Sequence, residues 1–324
     1  MIGLRIKLAI AALFVATVSS ALPSTLAVDT PATAAPIYWR ELPSPAYLWP
    51  GDGAIYYTLT TANGSIAHLI VIDLKHGKWV LKPAVNDPTT ATADTANKFK
   101  SSAAVNGGYF NLSDGASASY VVIDGKEVAN PRVNKALIEN PKLQSYLEQI
   151  FNRSEIRMFV DESGSQVVRI MQHNDPVPQG LRLLHSLQAG PQLLPTLRDR
   201  EEAFVRVEPD GKEVDSIGAR RQAARTAFGI TSEGYAMMLC VTPTNQDSDS
   251  HGLTLVELSD LLKNLGCSEA INLDGGASTT MFVRLQTAAP DNPSEVTSGR
   301  VVCGRTPETK VKSVFLLQKA AAVK

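Results

Sequence analysis

At 324 residues the chain is long enough for one large domain or two intimate ones. A hydrophobic share of 44% against 19% charged residues permits a sizeable core and argues against a disordered body. The formal net charge of −1 gives no electrostatic basis for binding nucleic acid or an anionic membrane surface, while leaving room for a local basic pocket for one phosphate.

The N-terminus has the order of a secretory signal. Arg5 and Lys7 precede an apolar run from Leu8 to Val18, and small residues follow. That run falls short of the roughly 20 residues that span a bilayer. Cleavage is expected after Ala21, Ala27 or Ala34, with Ala32-Thr33-Ala34 fitting the small-x-small pattern. An uncleaved N-terminal anchor is the competing reading. The expected organisation is a signal peptide and cleavage zone over 1–34, a proline-rich linker over 35–50 and a folded domain over 51–324. Export and no stable membrane insertion after signal cleavage follow from it.

Strand-like runs come next. Ala54–Thr60, Ile66–Leu74 and Lys78–Ala84 are rich in β-branched and aromatic residues and are separated by Asn63-Gly64 and His76-Gly77. Asp94–Lys100 is predicted as a short helix with Asp94 as N-cap. Ala103–Val105 is a short strand running into Asn106-Gly107-Gly108. Asp124-Gly125 marks a hairpin between Tyr120–Ile123 and Glu127–Ala129. Lys135–Phe151 has near-helical apolar spacing, with Pro141 starting or kinking it. Further strands are predicted at Ile156–Val160, Val167–Met171, Thr226–Ile230, Tyr235–Val241, Ala270–Leu273 and Val311–Leu317. Thr254–Leu265 is the clearest helix: Thr254 and Glu257 have capping-box spacing, five leucines make one stripe, and Gly266 ends it. Together these elements predict an α+β fold with a mixed β-sheet core and flanking helices.

Cys240, Cys267 and Cys303 cannot all pair within one chain. One disulfide with a thiol left over, or three buried thiols, are both open. No His or Cys stands near them at metal-ligand spacing, which excludes a zinc site built on these cysteines.

Three local constellations carry chemistry. Asn106-Gly107-Gly108-Tyr109-Phe110 ends a strand in two glycines, which permit close backbone approach or a simple turn. In Ile271-Asn272-Leu273-Asp274-Gly275-Gly276 an apolar strand delivers an acid to its end. Ala277, Ser278, Thr279 and Thr280 follow. Such a turn presents a carboxylate beside backbone N–H groups suited to an anion, or is an Asp-Gly turn with hydroxyl caps. Arg225 leads the strand Arg225-Thr226-Ala227-Phe228-Gly229, where a guanidinium fork suits a phosphate if held in a pocket.

In order along the chain, Asn106-Gly107-Gly108-Tyr109-Phe110, Gly190-Pro191-Gln192-Leu193-Leu194, Arg225–Gly229, Gly252–Leu258 and Asn272-Leu273-Asp274-Gly275-Gly276 resemble the phosphodiester glycosidase family. The resemblance covers roughly Ala103 to Leu317. It implies hydrolysis of a sugar joined through its anomeric carbon to a phosphodiester, with a phosphorylated sugar or glycan as substrate. Phosphate is a better leaving group than an alcohol and needs positive charge and N–H donors more than a general acid. Arg225 and the Gly275 and Gly276 amides are expected to supply these. Asp274 is expected to stabilise, attack or activate water at the oxocarbenium-like centre. Asn106 would bond a sugar hydroxyl or orient the carboxylate. Gly107, Gly108, Tyr109, Gly190, Asn272, Ser278 and Thr279 would line the substrate.

Glu257 is the candidate second carboxylate, against its capping-box alternative. His251, in a loop with Asp247, Asp249 and Ser250, is a further candidate acid, and the same loop offers oxygen ligands for a divalent cation. No cofactor is otherwise implied. His185 and Gln188 precede Gly190 and could approach the pocket. Ala277 stands where the family commonly has a third glycine, and Lys135–Phe151 reads as an insertion. A non-catalytic binder of phosphorylated polysaccharide and a phosphodiesterase cutting P–O are the competing functions.

Overall fold

The computed structural model describes residues 39–42, 47–49, 53–75, 78–208, 210–243, 252–284 and 299–320. The expected signal segment, most of the expected linker and the loop holding Asp247, Asp249, Ser250 and His251 lie outside the described residues. The unit described below belongs to Pro36–Lys324.

The chain begins with β1 (Tyr47–Trp49), β2 (Ala54–Thr60) and β3 (Ile66–Asp73), then β4 (Trp79–Thr90), α1 (Thr92–Lys98) and β5 (Ala103–Asn106). The α1 helix starts two residues before the expected Asp94. Its N-cap is Ala91, which offers no side-chain bond, and Asp94 instead sits in the first turn, where its charge suits the helix dipole. The hairpin β6 (Val121–Ile123) and β7 (Lys126–Ala129) turns where expected, with Asp124 and Gly125 at φ 52° and 74°.

The single helix expected over Lys135–Phe151 is instead two short ones, α2 (Lys135–Ile138) and α3 (Leu147–Phe151). Pro141 lacks an N–H and restricts Asn140, so the helix cannot run through. Then come β8 (Ser154–Val160), β9 (Gln166–Gln172), β10 (Arg182–Gln188), β11 (Gln192–Leu194), β12 (Val205–Val207) and β13 (Glu213–Asp215). The chain closes with β14 (Arg225–Thr231), β15 (Tyr235–Thr242), α4 (Leu255–Asn264), β16 (Cys267–Asn272), β17 (Met281–Val283), β18 (Arg300–Cys303) and β19 (Val311–Lys319). The α4 helix carries the expected capping box, Thr254 with Glu257.

Sheet dominates and helices are few, so α+β holds only in its coarse form. Where a mixed sheet was expected, every pairing among the described strands is antiparallel. A seven-stranded sheet runs β1-β2-β3-β15-β14-β16-β11, and two five-stranded sheets run β7-β6-β10-β8-β9 and β18-β17-β5-β19-β4. The three sheets share one core. Ile70, Met238, Phe228 and Ile271 enter it from the first sheet, Ile156, Met158 and Leu187 from the second, and Val105, Phe315 and Leu317 from the third.

Side-chain alternation gives the large sheet a second buried face. Met237, Leu239 and Val241 point away from that shared core and pack with Leu255, Leu258 and Leu262 of α4. This is why β15 reads as an unbroken apolar run: both of its faces are covered. Burying an aliphatic side chain is worth about 1.5–3 kcal/mol, so both layers contribute substantially to stability. All three cysteines are free and buried, which settles the sequence alternatives in favour of thiols in this structure. Cys240 and Cys303 lie side by side, and burial together with that contact pushes the Cys240 thiol pKa up.

Candidate active site

The expected site residues gather at the seam of the three sheets. Asn106 ends β5, Asn272 ends β16, Arg225 starts β14, and Gly190 follows β10. Hydrogen bonds lock the seam. Thr226 Oγ1 donates to Asn106 Oδ1 at 2.7 Å, joining the large sheet to the sheet of β5. Gly190 N donates to Asn272 O at 3.0 Å, joining the sheet of β10 to the large sheet. Tyr109 Oη donates to Gly190 O at 2.8 Å and accepts from Asn272 Nδ2 at 2.8 Å, closing the triangle.

Asp274 stands just beyond β16, in the turn that leads to exposed Gly276 and Ala277. The residue keeps some surface, yet protein rings its carboxyl group densely. Loss of water pushes its pKa up to about 6, against the pull of bonds from Ser278 and from the Gly275 N–H. Its backbone is clamped twice: Asp274 N donates to Gly107 O at 3.0 Å, and Asn106 Nδ2 donates to Asp274 O at 2.5 Å.

Several expected roles take a different form. Asn106 is fully buried and makes its bonds to Asp274 O, Thr226 Oγ1 and Thr280 N, so it positions the turn and does not face a sugar. Gly107 and Gly108 are buried against the chain itself. A Cβ on Gly107 would meet Ser313 Oγ at 2.5 Å, and one on Gly108 would meet Gln188 O at 2.3 Å. The Gly276 N–H is taken by Ala224 O at 2.8 Å, and that of Gly275 by the Asp274 carboxylate. The two amides expected to hold an anion are therefore committed within the protein. Gly276 itself has φ +58° and nothing within 4 Å of an added Cβ, so its role is conformational.

Arg225 is buried close to Asp274, since a Cβ on Gly275 would lie 3.8 Å from Arg225 Cδ. Its guanidinium, however, points at backbone carbonyls: Leu253 O at 2.8 Å, Ile217 O at 3.1 Å, Gly218 O at 2.5 Å and Arg221 O at 2.8 Å. These bonds use four of its five N–H groups. Glu257 is held in the capping box, accepting from Thr254 N at 2.8 Å, and Gln222 Nε2 reaches it at 3.4 Å. No bond joins it to Asp274 or Arg225. His185 is buried on the Lys82 and Asp124 side, and burial lowers its pKa to about 4.

Some buried polar atoms without partners lie in the stretch of chain around the acid. Asn272 Oδ1, Thr279 Oγ1 and Thr280 Oγ1 have none within the protein. Such atoms cost energy unless a ligand or water satisfies them, which is a common mark of a functional site. Ser278 bonds the acid directly and is buried with Thr279.

The sequence reading passed over Arg153, Glu202 and Phe204. Arg153 sits before β8 opposite Gly190, with its guanidinium 3.7 Å from the centre of the Phe204 ring. Phe204 in turn tilts against Tyr109, with ring centroids 5.3 Å apart. Glu202 is fully buried and accepts from Ser154 Oγ at 2.7 Å and Gln192 N at 3.0 Å, and burial raises its pKa. The one sequence hint was that Arg153, like Arg225, leads a buried strand. Gln188, read only as near the pocket, holds the Arg153 carbonyl through Nε2 at 3.2 Å.

Among the described residues no group of three or more His, Cys, Asp or Glu side chains is placed to hold a metal ion. The loop on which a divalent cation was considered lies outside them. No described helix is long and apolar enough to cross a membrane.

The structure thus sets an acid just past the end of β16, with its backbone clamped by Asn106 and Gly107. A family model for phosphodiester glycosidases matches residues 99–316, and the chain belongs to that family. Among solved structures it is similar to the catalytic domain of zebrafish N-acetylglucosamine-1-phosphodiester alpha-N-acetylglucosaminidase, auto-inhibited by its pro-peptide. That likeness has a TM-score of 0.54 at 18% identity and covers 83% of each chain. A hypothetical protein from Synechocystis matches with TM-score 0.54 at 13% identity, over 86% of this chain and 64% of that one. A Burkholderia pseudomallei K96243 protein named as a candidate for export matches with TM-score 0.54 at 14% identity, over 80% and 74%. At these identities the structures speak for the fold alone. No curated protein sequence matches significantly.

Proposed function

We propose that this protein is an exported glycosidase that hydrolyses a sugar-1-phosphodiester linkage in a glycan or envelope polymer, with Asp274 as the carboxylate that acts at the anomeric centre. The observation that carries this reading is the placing of Asp274. Burial pushes its carboxyl pKa up to about 6, the turn that follows it is exposed at Gly276 and Ala277, and the same stretch of chain carries the partnerless Asn272 and Thr279 oxygens.

Catalysis here asks little of a general acid, because a phosphate departs readily. It asks for a carboxylate held without freedom to rotate, and for donors on the phosphate side. Ser278 and the Gly275 N–H fix the carboxylate, while Asn106 and Gly107 fix its backbone. Tyr109 and Asn272 brace each other, and Tyr109 lies within electrostatic reach of Asp274, Arg153 and Arg225. Export is supported by the N-terminal pattern of Arg5, Lys7 and the Leu8–Val18 run.

The test is release of free sugar from sugar-1-phosphodiesters by the wild type and by Asp274→Asn. Sugar release that vanishes in a folded Asp274→Asn protein is the expected result. Unchanged turnover would remove Asp274 from the chemistry. Hydrolysis in heavy-oxygen water places the label in the sugar for C–O cleavage, and label in the phosphate would instead establish a P–O cleaving phosphodiesterase.

A further inference from the structure

Arg153 is the guanidinium in this site whose donors remain available. Nothing in the sequence motifs points to it, yet the fold fixes it from several directions. Its carbonyl accepts from Gln188 Nε2 and from His173 N, both at 3.2 Å. Its Nε donates to the Glu202 backbone carbonyl at 2.9 Å. Its plane lies over the Phe204 ring at 3.7 Å, a cation–π contact that sets its orientation. The residue is only 8% exposed.

The two terminal nitrogens carry no hydrogen bond to any described residue. Arg198 Nε and Arg206 Nε are fully enclosed without a partner, whereas the Arg153 terminal nitrogens are not fully enclosed. Four N–H groups in a planar fork are thus unbonded on a buried cation. Arg225 offers the opposite picture, with four of five donors spent on carbonyls. The neighbouring carboxylate, Glu202, is taken up by Ser154 and Gln192, with Arg198 Nε at 4.0 Å. Arg206 adds positive charge close to Arg153. A buried guanidinium without a bonded anion is costly, and an oxyanion received bidentately offsets that cost.

We propose that Arg153 forms an anion subsite that receives the phosphate oxygens of the substrate. It reaches the neighbourhood of Tyr109 and Asn272 through Phe204, whose ring lies under the guanidinium and 5.3 Å from the Tyr109 ring. Arg225 then has a scaffolding role, holding the loop 217–221 and Leu253 beside the glycine turn. This assignment deepens the function proposed above and depends on it for the identity of the substrate.

The experiment uses the full folded protein with inorganic phosphate as probe, measured by titration calorimetry, for wild type, Arg153→Met and Arg153→Lys. Arg153→Met keeps the stem over Phe204 and removes the charge. It is expected to weaken phosphate binding by about 10- to 100-fold, the worth of one or two charge-assisted hydrogen bonds. Arg153→Lys keeps charge and stem and loses the fork, and is expected to weaken it by about tenfold; it also serves if Arg153→Met does not fold. The same variants should lose activity on a sugar-1-phosphodiester, Arg153→Met more than Arg153→Lys, which keeps the charge.

Phosphate affinity equal to wild type in folded variants overturns the subsite, as does an equal loss in Arg153→Met and Arg153→Lys, which would mark a structural role. The two readings fail separately. Phosphate binding lost in the variants, with no sugar release by wild type, keeps the anion site and sinks the enzyme. Sugar release with unaltered phosphate affinity in the variants does the reverse.

Discussion

A Cβ placed on Gly190 would stand 2.3 Å from Glu202 Oε2 and 2.9 Å from the Phe204 ring. That gap lets Glu202 and Phe204 close under Tyr109 and Arg153, and Gly190 also holds φ +102°. Gly190→Ala therefore meets both a clash and backbone strain, and is expected to cost about 3 kcal/mol or more. Gly276→Ala meets strain alone, since nothing lies within 4 Å of its Cβ, and is expected to cost about 1 kcal/mol. Urea unfolding of both variants checks the contrast. Equal losses would show that contact with Glu202 and Phe204 is not what demands the glycine.

Asn106→Leu fills the same space and removes every bond. It leaves the Asp274 carbonyl and the Thr280 N–H without their partner, and the Thr226 hydroxyl with only its 3.7 Å contact to Cys240 Sγ. At about 1–3 kcal/mol per unsatisfied buried group, a loss of roughly 4 kcal/mol is expected. Turnover per folded molecule should fall as well, because the clamp on the Asp274 carbonyl sets where the carboxyl points. A stability loss with full turnover in the remaining folded protein would show that the clamp does not position the acid.

Glu257 offers the reverse expectation. Its carboxylate accepts from Thr254 N, and Thr254 Oγ1 accepts from Glu257 N, at the start of α4. Glu257→Ala should cost about 1 kcal/mol of stability and leave sugar release by the folded protein unchanged. Glu257→Gln, which can still accept the bond, should cost less. A collapse of turnover in a well-folded Glu257→Ala would restore it as a second carboxylate.

Local pattern served the strands and the capping box well, because β-branched runs, Asp124-Gly125 and Thr254 with Glu257 act within a few residues. It failed where the cause is distant in the chain. The strands β10, β11 and β17 and the sheet-edge strand β18 gave no separate signal, since most of their partners lie far away in sequence. The same limit governs the site. Asp274 was legible because its strand, acid and glycines adjoin. The direction of the Arg225 guanidinium was not, because the carbonyls that capture it come from 217–221 and Leu253. Arg153 is held by Phe204, Glu202 and Gln188, which the chain places some distance further on.

Asp274 links stability and activity to pH in opposite senses. Its pKa of about 6 in the folded protein lies above the ordinary 3.8, because burial disfavours the charged form. The folded state therefore binds this proton more tightly than the unfolded chain. The stabilisation is whole below 3.8, fades as pH rises through the window up to about 6, and is gone above it. At about pH 7.5 the ionised Asp274 is a burden on the fold, and Asp274→Asn should be more stable than wild type by about 1–2 kcal/mol after allowance for solvent screening. Near pH 3.5 or below, roughly, the two proteins should converge. Turnover, by contrast, needs the carboxylate and should rise with pH through about 6. Urea unfolding at both pH values and a pH–rate profile of the wild type check the pair. Equal stability at the higher pH would remove desolvation as the cause, and turnover that falls as pH climbs past 6 would recast Asp274 as the proton donor.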